Sequence, residues 1–243
     1  GLKRPGLAIE LDPNIGLLCA ANMHITGEES DLQRTMDRVL VGDGTDAENA
    51  ITAYWNSLRE AGTRAHPPIG MLHLDPARPR DAQRHEIDEM QPALGPLLKA
   101  WANHLETGPR GPAVLLDLSP RLNEDQRSLV DATIETTFPG IPRTWEYLSQ
   151  GGGRIDRLSV WIGSISSKEP SRCIRMGKKK IMATIEGKVA ESELVSMSSP
   201  PPYGAYLTIV DPALVQSGLH EAWLDRALPE NAGHSWLRLE GRR

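Results

Sequence analysis

Three carboxylates close strand-like runs: Glu10 after Leu7-Ala8-Ile9, Asp43 after Arg38-Val39-Leu40-Val41-Gly42, and Asp75 after Ile69 to Leu74. Open α/β sheets take ligands at the carboxyl ends of their strands, so acids placed there can accept hydrogen bonds from a ligand's hydroxyl or amino groups. Each such charge-assisted bond contributes about 1.5–3 kcal/mol. A strand-end acid is equally at home as a helix cap or turn former. Asp12, followed by Pro13, and Asp46 read as caps. Asp43 reads both ways, whereas the contexts of Glu10 and Asp75 favour a ligand.

The elements that would hold these acids alternate. After the first strand, Ile15, Leu18 and Cys19 repeat at helical spacing to about Met23, and the same stripe next reaches the polar Asn22. The second strand leads into a helix whose buried stripe is Ile51, Tyr54, Trp55 and Leu58. The third leads to a helix predicted from about Asp88 to Leu105. Ala113 to Leu118 is apolar enough for a strand buried on both faces, and a helix from about Glu124 to Phe138 follows. Thr144 to Leu148 and Arg157 to Ile162 then read as an antiparallel hairpin whose turn includes Gly151-Gly152-Gly153. That turn opens no helix, so it is not read as a phosphate cradle. Strand–helix alternation predicts an α/β fold with a mostly parallel sheet, closed here by the hairpin. Further along, Ile181 to Ile185 is strand-like, Ser196 to Pro202 reads as a boundary, Tyr206 to Val210 as a strand, and Asp211-Pro212 as the start of a helix to about Leu228.

With 243 residues, 39% hydrophobic and 24% charged, the chain has the composition of an ordinary globular protein. A net charge of −5 argues against a nucleic-acid coat, although a local basic patch can still act. Arg172, Arg175 and Lys178-Lys179-Lys180 form the candidate patch, read either as an RNA-facing surface or as a solvated loop. Cys19 and Cys173 form no metal or disulfide pattern, the apolar runs are too short to span a membrane, and the scattered histidines make no metal motif. The expectation is a cytoplasmic protein without a metal.

Taken in order, Glu10-Leu11-Asp12-Pro13 with Asn22, Val41-Gly42-Asp43, and Leu74-Asp75-Pro76-Ala77-Arg78 resemble the second to fourth motifs of class I S-adenosylmethionine-dependent methyltransferases. Leu118-Ser119-Pro120, Arg157 to Trp161, Tyr206-Leu207 and Asp211-Pro212-Ala213 extend the likeness to the bacterial and archaeal subgroup with a C-terminal THUMP-like domain. The resemblance implies a Rossmann-like, mostly parallel sheet with helices on both faces, a terminal antiparallel hairpin and a small α+β appendage. It implies a partial catalytic domain over 1–165, connecting strands over 166–199 and the start of the THUMP-like domain over 200–243.

S-adenosyl-L-methionine is the implied cofactor. Glu10 is then the ribose acceptor, with Asp12 beside it; Gly42 and Asp43 lie on the adenine side; and Asp75, Pro76, Ala77 and Arg78 lie beside the reacting sulfonium. The family's glycine-rich first motif is expected about twenty residues before Glu10, a place that residues 1–9 do not fill. The stretch is therefore expected to be inactive by itself. RNA is the implied substrate. Neither cysteine lies near a suitable strand end, which disfavours covalent attack on a pyrimidine and favours a nitrogen or oxygen acceptor. Two other readings stand beside this one: a non-catalytic RNA-binding or scaffold module that keeps the fold, and, more weakly, a nicotinamide-dependent enzyme.

Overall fold

The computed structural model describes residues 6–26, 37–62, 64, 66–76, 89–190, 196–197, 200–229 and 232–237. The protein is mixed α/β, a multi-stranded sheet flanked by helices and closed by antiparallel strands, as the alternation predicts. It divides into two units, residues 1–113 with 122–141, and residues 114–121 with 142–243.

In the first unit, β1 (Leu7–Glu10) pairs in parallel with β2 (Arg38–Val41), and α1 (Pro13–Thr26) follows β1. Asp12 caps α1 as expected, its Oδ1 accepting the amides of Asn14 (2.7 Å) and Ile15 (3.3 Å). The buried face of α1 is not the expected Ile15–Leu18 stripe. Gly16 is buried against the sheet, where a Cβ would meet Val41 Cγ2 at 3.2 Å, while Ile15 and Leu18 stay exposed. A side-chain-free turn lets the helix lie close to β1 and β2, and that approach fixes which residues face out.

α2 (Ala47–Glu60) is capped by Asp46 and buries Ile51, Tyr54 and Leu58, matching the predicted stripe except for the half-buried Trp55. β3 (Leu72–Leu74) buries Leu72 and Leu74 and exposes His73. The next helix, α3 (Leu94–Ala102), is shorter than expected, because Pro92 lacks the amide needed to extend it backward and Ala93 is its cap. β4 (Thr107–Gly108) forms a tight hairpin with the start of β5 (Gly111–Leu118), and α4 (Glu124–Thr137) carries a capping box made by Asn123 and Gln126.

In the second unit the strand order is β5, β7 (Arg157–Gly163), β6 (Arg143–Ser149), β8 (Ser171–Met176), β9 (Ile181–Gly187). The expected hairpin β6–β7 is present, with Trp145 opposite Val160. β8 falls within the connecting strands expected over 166–199, although no strand is predicted at Ser171–Met176 itself. It pairs in parallel with β6 and antiparallel with β9. That pairing ties residues beyond 165 to the hairpin.

Two further expectations are corrected. Residues 206–210 form no strand, and Tyr206, Leu207 and Ile209 are exposed, since no edge strand pairs with their backbone among the described residues. The helix expected from Asp211 to Leu228 is instead α5 (Pro212–Gln216) and α6 (His220–Ala227). Gly218 divides them at φ +69°, a left-handed conformation that ends a helix. A short parallel pair, β10 (Ser196–Met197) and β11 (Trp236–Leu237), completes the unit.

Candidate functional site

Parallel pairing sets Glu10 opposite Val41, so both strands end at the same rim and Asp43 follows two residues after Val41. The Gly42 amide donates to the Glu10 carbonyl at 3.0 Å, extending the ladder to the edge of the turn. Glu10 is half-buried, and its Oε1 accepts the Asp12 amide at 3.1 Å. Asp43 is exposed. Its Oδ1 accepts both the amide and the hydroxyl of Thr45 at 2.8 Å, and these two bonds hold its carboxyl below the usual carboxylate value. The turn is thus built on one oxygen of Asp43.

The loop carrying Asp43 is anchored from α3. Trp101 is buried, and its indole N–H donates to the Gly44 carbonyl at 2.8 Å. A positioning role for Trp101 had no sequence signal beyond its place in an apolar helical stripe, because its partner lies 57 residues away. Asp12 is committed to capping α1 and so stands beside the rim as a structural residue.

Asp75 is exposed at the carboxyl end of β3, with Pro76 half-buried after it. Glu10 ends one strand of a two-stranded sheet and Asp43 follows the other, whereas Asp75 follows β3, which belongs to a different sheet. Ala77 and Arg78 lie outside the described residues. Asp117 Oδ1 accepts a hydrogen bond from Ser159 Oγ at 2.5 Å, and Ser119 Oγ accepts the Arg121 amide at 3.2 Å.

The five basic residues do not form one surface. Arg172 and Arg175 are three apart on β8 and so face opposite sides. Arg172 bonds Glu146 at 2.9 Å and also Glu186; Arg175 bonds Asp211 at 2.6 Å. Lys178, Lys179 and Lys180 are exposed in the β8–β9 turn, closed by the Gly177 amide on the Lys180 carbonyl at 2.8 Å.

Among the described residues, no cluster of His, Cys, Asp and Glu could hold a metal ion, and no helix is long and apolar enough to cross a membrane. Compared with known proteins, the chain matches no family model, no curated protein and no solved structure.

Proposed function

We propose that this chain carries the adenosine-binding part of an S-adenosylmethionine-dependent methyltransferase acting on RNA at a nitrogen or oxygen. The observation that carries the reading is the shared rim of Glu10 and Asp43, at the ends of two parallel strands that lie roughly 4.8 Å apart. Bound there, the cofactor supplies a methyl group on a positive sulfur. The residues fit its adenosine half by donor chemistry: Glu10 accepts from ribose hydroxyls and Asp43 from the adenine amino group. Asp75 to Arg78 are assigned to the transfer side, where alignment of the acceptor and removal of its proton are the protein's tasks.

β1 has β2 on one side and no other strand partner among the described residues, and two-stranded sheets are marginal alone. α1 leaves Ile15, Leu17, Leu18 and Ile25 exposed. One observation favours the second reading, a non-catalytic RNA-binding module: the carboxylates of Glu10 and Asp43 already serve local backbone amides.

Transfer of a labelled methyl group from S-adenosylmethionine to RNA separates the two. The intact protein is expected to label RNA. An intact, folded protein that binds RNA yet labels none favours the non-catalytic module.

A further inference from the structure

We propose that a cavity in the second unit binds a small organic molecule joining an oxyanion to an apolar ring or chain. The cavity has a volume of about 430 Å³, within the roughly 300–1,000 Å³ typical of small-molecule sites. It goes beyond the methyl-transfer reading, since neither Glu10 nor Asp43 belongs to it.

Its floor follows from strand register. Cys173 stands opposite Ile185 and Arg175 opposite Ala183, so these four side chains share one face of the β8–β9 pair. Leu214 of α5 and Trp223 of α6 supply the facing wall. The Cys173 thiol adds to the apolar floor: burial, and then the charge of Asp211, push it up to about 12, so it is a neutral thiol near pH 7. At the mouth, Ile209 is 80% exposed, an apolar contact awaiting a partner.

Among the described residues, Arg175 is the single cation lining this cavity, and its geometry is fixed. Nη1 donates to Asp211 Oδ2 at 2.6 Å and lies 3.4 Å from Ser149 Oγ. Gly151, at φ +95°, packs so closely that a Cβ there would sit 2.2 Å from Nη2. The glycine turn therefore admits the guanidinium without covering it, and the side chain remains 44% exposed. A guanidinium carries further donor hydrogens on Nε and Nη2 in a planar fork suited to carboxylate or phosphate.

Asp211 does not cancel that preference. Its Oδ2 accepts from Ser149 Oγ (2.8 Å) as well as from Arg175, and its Oδ1 accepts the Ala213 amide (3.0 Å). Three donors disperse its charge, and it serves to aim the arginine. An apolar floor with one aimed guanidinium is complementary to an amphiphilic anion.

The test uses 1-anilinonaphthalene-8-sulfonate, an aromatic body bearing a sulfonate, with residues 1–243. Its fluorescence is expected to include a saturable part displaced by phenyl phosphate or by 3-phenylpropionate. Displacement by the first alone identifies a phosphomonoester site, by the second alone a carboxylate site, and by both a general oxyanion site. Arg175→Gln is expected to weaken this part by roughly tenfold or more. Ala183→Trp, at an exposed floor position, is expected to abolish it while circular dichroism stays unchanged. Absence of any displaceable fluorescence overturns the proposal. So does displaceable binding that Ala183→Trp leaves intact, and this second variant decides the matter if Arg175→Gln fails to fold.

Discussion

Arg172 Nη1 lies 2.9 Å from Glu146 Oε2, a pair whose side chains are 21% and 9% exposed, bridging the parallel strands β8 and β6. Glu186 of β9 completes the cluster from the other side. This arrangement turns an arginine that the sequence offers as a nucleic-acid contact into a link across three strands. Arg172→Ala strands the Glu146 carboxylate with its charge uncompensated. Urea denaturation is expected to show a loss on the order of 2–4 kcal/mol.

The same cluster gives a pH dependence. Burial acts to raise the Glu186 carboxyl, but hydrogen bonds from Ser167 and Arg172, with the arginine's charge, outweigh it and leave the group below its ordinary 4.5. A depressed folded value means that the stabilisation is present above 4.5 and is lost as pH falls through the folded value beneath it. Glu186→Gln is therefore expected to flatten the acid limb of a melting-temperature profile. An unchanged limb would contradict the assignment.

At Asp43 the depression comes from Thr45, first its amide and then its hydroxyl. Thr45→Val removes the hydroxyl and keeps the amide. A carbon-detected titration of the Asp43 carboxyl is expected to move part of the way back toward the ordinary aspartate value, without reaching it. A full return would mean that the amide bond depends on the hydroxyl.

Gly218 joins α5 to α6 at φ +69°, and a Cβ there would stand 2.5 Å from Val189 Cγ1. Both constraints oppose any side chain. Gly218→Ala is expected to destabilise by roughly 1–3 kcal/mol in chemical denaturation.

These residues show what a sequence can and cannot carry. The cap at Asp12, the cap at Asp46 and the buried stripe of α2 were legible, because each depends on neighbours within a turn or two. β8 was not legible. Its Arg172 becomes tolerable inside a sheet only through Glu146 and Glu186, which lie 26 and 14 residues away. Tyr206 to Val210 erred the other way: β-forming residue types make a strand only when another strand accepts their backbone. At the site, the strand-end positions of Glu10 and Asp43 were readable, but the register that sets them on one rim was not, and neither was the hold of Trp101 on Gly44.

If Lys178, Lys179 and Lys180 face RNA, they do so as an exposed hairpin turn, without Arg172. For a single-stranded RNA, each lost phosphate contact lowers the slope of log affinity against log salt by about 0.7. Lys178→Glu is expected to reduce the slope by about that amount. An identical slope would leave this turn a solvated surface.

Glu10 and Asp43 are proposed to hold an adenosine together. Calorimetric titration of S-adenosylhomocysteine into the intact protein tests this most directly. Saturable binding is expected, weakened about tenfold or more by Glu10→Gln and by Asp43→Asn, with the fold of both variants intact. Binding that neither substitution changes, or a folded intact protein that evolves no heat at all, would contradict it.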